Sequence, residues 1–182
     1  MSNVVVIYHS GYGHTKKQAE AVAEGAKADL IAISENGEIA DTDWAKLDAA
    51  KAIIMGSPTY MGSVSWQFKK FADASSKRWF TQAWKNKVFA GFTNSASVNG
   101  DKASTIQYLM TLAMQHCGVW VGTALMSPNT KTAKHGDVNY VGGFSGALMA
   151  SPSDSSPEEV NKGDLEAARL LGVHTAEFAD KA

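Results

Sequence analysis

The 182-residue chain is 45% hydrophobic and 19% charged, which is ordinary for a globular protein and enough for one domain, 1–182, with a sizeable core. Its formal net charge of −1 excludes a global field that would select nucleic acid or an anionic membrane surface. A single cysteine excludes an internal disulfide. With neither a signal peptide nor an apolar run of about 18 residues in view, these features predict a cytoplasmic protein.

Apolar, strand-like runs alternate with amphipathic helical patterns along the chain. The predicted strands lie at 3–8, 29–33, 51–56, 87–92 and 119–122. The predicted helices lie at 15–27, 41–50, 64–78, 102–116 and 158–179. Strands that are apolar on both faces and alternate with helices indicate a parallel sheet with helices on both sides.

The turn between the first strand and the first helix predicts an anion site. It reads SGYGHT over residues 10–15, and the free N–H groups at the helix start favour a phosphate. Ser10 and Thr15 add hydroxyl donors, while Gly11 and Gly13 let the backbone approach closely. The turn lacks the lysine of GxxxxGK[ST] and does not match GxGxxG, so a monophosphate such as FMN is favoured. An ordinary turn capped by Thr15 is the alternative.

Two more polar loops follow the third and fourth predicted strands, at 57–63 and 93–101. A phosphate-type turn after the first of five strands favours the strand order 2-1-3-4-5. In that order, the carboxyl ends of strands one, three and four meet at one edge of the sheet, where ligands bind. The sequence therefore predicts a doubly wound, flavodoxin-like α/β fold with its site at that edge.

Residues 123–157 show no clear periodicity, and so long an irregular segment in a compact domain is usually functional or disordered. Their Gly, Ser and Pro content predicts a loop, whereas apolar residues such as Phe144 and Leu148 predict that it is anchored. The last helix follows, with Ser156 and Pro157 as its predicted cap.

Several of these segments resemble the flavin loops of the flavodoxin superfamily. The first is the turn at 10–15, and the second is GSPTYMG at 56–62. In particular, they resemble WrbA-type NAD(P)H:quinone oxidoreductases and the related NADPH-dependent FMN reductases. SWQFK at 65–69, TNSA at 93–96 and GGFSG at 142–146 extend the likeness along nearly the whole chain.

The resemblance implies three groups of FMN-binding residues. The phosphate would be held by Ser10, Tyr12, Gly13, His14 and Thr15. The ribityl chain and ring edge would lie along Pro58, Thr59, Tyr60, Met61 and Gly62. The third loop would contribute Thr93, Asn94, Ser95, Ala96, Ser97, Asn99 and Gly100. Tyr60 and Met61 stand where the family usually carries an arginine and a phenylalanine, a departure that bears on nicotinamide and quinone preference rather than on FMN binding.

The family's chemistry would follow from this resemblance. NADPH or NADH would deliver a hydride to flavin N5, and a quinone or similar acceptor would then take two electrons. Because the flavin carries the reaction, no catalytic side chain and no metal are implied. The family commonly completes its site across an oligomer interface, so a homodimer or homotetramer is implied, with residues 123–157 as the candidate contact.

Three alternatives stay open at this point. FMN could be a reducible substrate rather than a bound prosthetic group, as in an FMN reductase. The chain could be a flavodoxin-type electron carrier that does not use nicotinamide, although its net charge of −1 and the long segment speak against this. It could also be a binding module that uses the turn at residues 10–15, named the anion loop below, for another ligand.

Overall fold

Strands and helices alternate along residues 3–182, which are the residues that the computed structural model describes. The strands are β1 (Val4–Tyr8), β2 (Asp29–Ala32), β3 (Ala52–Tyr60), β4 (Ser63–Val64), β5 (Val88–Ser95), β6 (Val119–Trp120) and β7 (Ala147–Ala150). The helices are α1 (His14–Ala26), α2 (Asp41–Ala49), α3 (Trp66–Ala74), α4 (Ser76–Phe80), α5 (Lys102–Gln115) and α6 (Lys162–Lys181).

The main sheet has the order β2-β1-β3-β5-β6, and each of these pairs is parallel. Because β5 and β6 are the fourth and fifth predicted strands, this confirms the predicted order 2-1-3-4-5 and the flavodoxin-like fold. The short strand β4 is an addition that forms an antiparallel hairpin with β3. Met61 and Gly62 make its turn with φ angles of 48° and 79°, as hairpins with two-residue loops require.

The outer position next to β5 is filled by two strands that are far apart in sequence. β6 pairs with the start of β5, from Val88, whereas β7 pairs with its end, from Phe92 to Ser95. Residues 121–146 are therefore an insertion between two halves of one sheet position. The prediction of an irregular segment throughout 123–157 was wrong for Ala147–Ala150, since a strand this short is defined by its distant partner rather than by its own pattern.

Alternate residues of the strands enter two separate hydrophobic clusters, one on each side of the sheet. Val5 and Ile7 of β1 pack toward α3 and α5 with Phe68 and Leu109. Val6 packs on the other side with residues of α1 and α6. This alternation confirms that helices cover both faces of the sheet.

Helices α1 and α6 pack against each other through glycine. A Cβ atom at Gly25 would lie 1.9 Å from the carbonyl oxygen of Arg169, and one at Gly172 would lie 2.1 Å from that of Val22. Neither position has room for a methyl group. The glycines therefore set how closely the helix behind the anion loop lies to the carboxyl-terminal helix.

Two predicted helices differ from the structure in their bounds. The helix predicted at 64–78 is two helices, α3 and α4, separated at Ser75, whose buried hydroxyl donates to the Ala72 carbonyl at 2.6 Å. Ser156 caps a 3₁₀ turn at Pro157–Glu159, and α6 begins later, where the Asn161 side chain accepts from the N–H of Gly163. The predicted cap for the last helix was therefore wrong by one turn.

Candidate functional site

A cavity of about 390 Å³ opens at the carboxyl edge of the sheet, within the range typical of small-ligand sites. Its walls are the loops that follow β1 and β7 and the carboxyl ends of β3 and β5. The lining consists of Ser10, Tyr12, His14, Thr15, Pro58, Thr59, Tyr60, Asn94, Ser95, Ala96, Ser151 and Ser153. The three predicted segments thus meet at one cavity, although residues 57–60 and 93–95 extend β3 and β5 instead of forming loops. A fourth segment that was not predicted joins them.

The first loop presents polar donors without partners at the start of α1. Gly13 takes a φ of 92°, a conformation that favours glycine. The Ser10 hydroxyl oxygen accepts from the N–H groups of Gly13 and Lys16, at 3.1 and 3.2 Å. Among the described residues, no acceptor contacts the backbone N–H groups of His14 and Thr15 or the Thr15 hydroxyl. This end of the cavity is suited to an anion.

Tyr12 and Tyr60 form an aromatic wall. Their ring centroids are 6.3 Å apart and the rings meet edge to face at 70°. Burial and the neighbouring Tyr12 raise the pKa of Tyr60, although the Gly11 N–H opposes the shift. The Tyr60 hydroxyl therefore stays protonated at neutral pH. The two rings present an apolar surface suited to a planar ring, with this hydroxyl as a polar group at its edge.

Three threonine hydroxyls form a buried cluster on the elements beneath the cavity. Thr59 donates to Thr105 of α5 at 2.8 Å, so in its 2.9 Å contact with Thr93 it accepts. These bonds join β3, β5 and α5. Thr93 is fully buried and lies outside the lining, which makes it a support of the cavity floor.

A buried lysine organises the third loop. The Lys102 side chain is 1% exposed, and its ammonium donates to the Ser95 hydroxyl at 2.7 Å. It also donates to the carbonyl oxygens of Ser97, Val98 and Asn99, at 2.5, 2.9 and 3.3 Å. The loop therefore folds around an internal cation, a feature that the sequence analysis did not single out.

The predicted residues that do not line the cavity are in turns or beneath the surface. They are Gly13, Met61, Gly62, Thr93, Ser97, Asn99 and Gly100. Met61 is fully exposed. Gly100 is at a tight position, since a Cβ there would lie 2.0 Å from the Ser95 hydroxyl. Their direct contact with a ligand stays a prediction.

Ser151 and Ser153 line the cavity and were missed from the sequence. Both lie just after β7, at the same edge of the sheet as the other three loops. The rule that located the predicted loops, a polar segment after a buried strand, also applies here. It was not applied because Ala147–Ala150 was not predicted to be a strand.

The donors and walls of this cavity fit FMN. Unpaired N–H and hydroxyl donors at the α1 end suit a phosphate, and the Tyr12–Tyr60 wall together with Pro58 suits a planar ring. Asn94 adds a side-chain N–H group that has no partner among residues 3–182. Within the same part of the chain, no group of His, Cys, Asp and Glu is placed to hold a metal ion.

Comparison with known proteins identifies the family. Residues 3–132 match the family described as NADPH-dependent FMN reductase. The chain belongs to this flavodoxin-like family of FMN-binding oxidoreductases. Membership confirms the resemblance that was found in the loops at 10–15 and 56–62.

Relatives in this family carry two kinds of name. Flavodoxin FldP of Pseudomonas aeruginosa is 50% identical, over 100% of this chain and 98% of its own length. An NAD(P)H dehydrogenase (quinone) of Rhizobium rhizogenes is 32% identical with the same two coverages. A crystal structure of a flavodoxin, WrbA-like protein from Agrobacterium tumefaciens superposes with a TM-score of 0.82 at 52% identity, covering 100% of this chain and 99% of that one.

No helix within residues 3–182 combines the length and the apolar character needed to cross a membrane.

Proposed function

We propose that this chain, as one FMN-binding domain, transfers two electrons from NADH or NADPH through FMN to a quinone or a similar planar acceptor. The observation that carries this proposal is the convergence of the loop after β1 and the carboxyl ends of β3 and β5 on one cavity. That cavity has unpaired donors at one end and an aromatic wall. The relatives named NAD(P)H dehydrogenase (quinone) support this choice of reductant and acceptor.

In this proposal the side chains bind and orient rather than transfer protons. The N–H groups of His14 and Thr15 and the Thr15 hydroxyl hold the phosphate, and the Tyr12–Tyr60 wall borders the ring. When bound, FMN would supply the two-electron chemistry that links the nicotinamide to the acceptor. No carboxylate of the described residues lines the cavity, so acceptor access and ring orientation are the protein's contribution.

Turnover tests the proposal. The FMN-loaded protein is mixed with NADPH or NADH and a soluble benzoquinone, and oxidation of the nicotinamide is followed. We expect multiple turnovers that depend on both FMN and the quinone. Thr15→Val keeps the shape of the side chain but removes the hydroxyl, and it should weaken FMN binding by roughly tenfold. FMN binding without turnover with any quinone would contradict the proposal.

A second candidate is an electron carrier, which the 50% identity with Flavodoxin FldP favours. Tyr60 and Met61, which replace the arginine and phenylalanine usual in WrbA-type enzymes, point the same way. Tyr12, Met61 and Trp66 are exposed side chains near this edge and offer a surface for a redox protein. A carrier would accept electrons from a flavoprotein reductase but would not oxidise either nicotinamide directly.

The oligomeric state is part of the same proposal. We infer a homodimer or homotetramer in which the insertion at 121–146 contributes to the contact. Exposed apolar residues such as Met126 and Phe144 lie in this insertion. Sedimentation of the protein at micromolar concentration should give a dimer or tetramer, and a monomer at all concentrations would contradict the inference.

A further inference from the structure

The segment after β7 is held on both sides of the cavity. We name residues 151–156 the serine loop. At its start, the Ser151 N–H donates to the Ser95 carbonyl at 3.1 Å, and the Ser151 hydroxyl donates to Asn94 Oδ1 at 3.0 Å. Near its end, His14 Nε2 lies 2.9 Å from the Ser155 carbonyl oxygen. The serine loop therefore bridges the third loop and the anion loop.

The contact with Ser155 shows which nitrogen of the His14 ring carries a hydrogen. A carbonyl oxygen only accepts, so His14 Nε2 must carry the hydrogen and donate it. In the neutral imidazole, Nδ1 then presents a lone pair, which would repel a phosphate oxygen. While this contact is made, neutral His14 cannot donate to a phosphate from either nitrogen. Its side chain instead ties the anion loop to the serine loop.

Further contacts join the anion loop to the chain that follows the serine loop. A Cβ at Gly13 would lie 2.7 Å from the Pro157 ring, so the chain beyond the serine loop packs directly on the anion loop. Lys17 Nζ lies 3.3 Å from a carboxylate oxygen of Glu158. The position of the serine loop at the α1 end of the cavity is thus set by packing as well as by His14.

The serine loop also sets the orientation of an amide in the cavity. Because the Ser151 hydroxyl donates to Asn94 Oδ1, the amide oxygen is used, and Nδ2 makes no hydrogen bond with the described residues. Asn94 lines the cavity, so its N–H groups are the donors left for a ligand. Ser153 lines the cavity as well, and its hydroxyl has no hydrogen-bond partner in the described part of the chain.

We propose that the serine loop is a fourth FMN-binding segment, latched in place by His14. Ser153 donates its hydroxyl at the phosphate end of the cavity, and Ser151 turns the Asn94 amide so that Nδ2 donates to the ligand. His14 is a positioning residue that acts through the loop. This inference rests on the proposed FMN site, and binding measurements separate the two.

Flavin affinity tests the role of Ser153. Dissociation constants for FMN and for riboflavin, which lacks the phosphate, are measured by fluorescence quenching for the wild type and for Ser153→Ala. We expect the FMN constant to rise roughly tenfold, as for loss of a hydrogen bond to a charged group, with riboflavin unchanged. Ser104→Ala on α5 is the matched control, since Ser104 is exposed and lies outside the lining. Unchanged FMN binding, or equal losses for both flavins, would overturn the phosphate contact.

Hydrogen exchange without flavin tests the latch. His14→Phe removes the donor, whereas His14→Gln keeps an N–H that can reach the Ser155 carbonyl. In the apo protein we expect amide exchange in peptides covering 151–156 to become at least tenfold faster in His14→Phe and to stay near the wild-type rate in His14→Gln. If His14 were only a phosphate ligand, exchange in the apo protein would not change, and the latch would be wrong.

Different results would overturn the proposed FMN site and the proposed role of the serine loop. A wild-type chain that binds neither flavin would overturn the proposed function and this inference together. Tight FMN binding by the wild type, with Ser153→Ala and His14→Phe indistinguishable from it in affinity and exchange, would overturn only the fourth segment.

Discussion

At the residue scale, the third loop depends on the Lys102 ammonium. Burial lowers the pKa of Lys102 to about 8, against the attraction of Asp164 on α6. Its acceptors are one hydroxyl and three carbonyl groups of the loop. A neutral amine has one donor fewer and no charge, so the loop is held less firmly once the proton is lost.

This predicts a pH dependence of FMN binding. The protonated form of Lys102 holds the loop and favours a dianionic phosphate nearby, so affinity should be full well below pH 8 and fall as pH rises through about 8. Titrations of the wild type between about pH 7 and 9 should show several-fold weakening. Lys102→Met should bind weakly at every pH with no such trend, its fold being checked by circular dichroism. A flat wild-type profile would contradict the role of Lys102.

His116 provides a second prediction at this scale. Its ring is buried and burial lowers its pKa to about 4. The Ser75 hydroxyl donates to Ala72, so it accepts from Nε2–H of His116 at 2.9 Å. The folded protein holds this ring neutral, whereas the unfolded chain protonates it at its ordinary pKa near 6.5. Stability is therefore lost as pH falls from about 6.5 toward 4.

Urea unfolding at two pH values measures this effect. Between pH 7 and pH 5, His116 should lower the unfolding free energy by about 2 kcal/mol. His116→Gln keeps a donor for Ser75 but cannot titrate. Its loss of unfolding free energy between pH 7 and pH 5 should therefore be smaller by that amount. His9 is also buried with a lowered pKa and gives a residual loss in both proteins. An equal fall in unfolding free energy between pH 7 and pH 5 in the wild type and in His116→Gln would show that His116 is not held neutral.

At the scale of elements, the glycines between α1 and α6 make the clearest prediction. Gly172→Ala would place a methyl group against the Val22 carbonyl, where a Cβ lies at 2.1 Å, and separating the helices should cost about 2–3 kcal/mol of unfolding free energy. Gly136→Ala is the control, since a Cβ there meets nothing within 4 Å and should change stability by under about 0.5 kcal/mol. Similar stabilities of the two variants would contradict this packing.

Elements with a strong local signal were predicted well from the sequence. The apolar runs of β1, β3 and β5 gave the sheet and its order, because their patterns do not depend on distant partners. β7 was missed, since its short run, Ala147–Ala150, becomes a strand only by pairing with the end of β5. β4 was missed for the same reason, as it exists through the hairpin turn at Met61 and Gly62.

At the scale of the whole molecule, the site is made where the carboxyl ends of several strands meet. The sequence predicted three of the loops because each follows a recognisable strand, and most of the lining residues came with them. The serine loop follows β7 and was lost with that strand. The burial of Lys102 could not be predicted either, since a lysine at the start of a helix is expected to be exposed unless the loop around it is known.

The central claim is that FMN bound in this cavity is reduced directly by a nicotinamide. The most direct measurement is the absorbance spectrum of the purified protein with FMN, recorded without oxygen before and after addition of NADPH and, separately, NADH. We expect a bound-flavin spectrum that bleaches on the stopped-flow timescale with at least one nicotinamide. Bound flavin that stays oxidised with both would contradict the claim and make the electron carrier the better account.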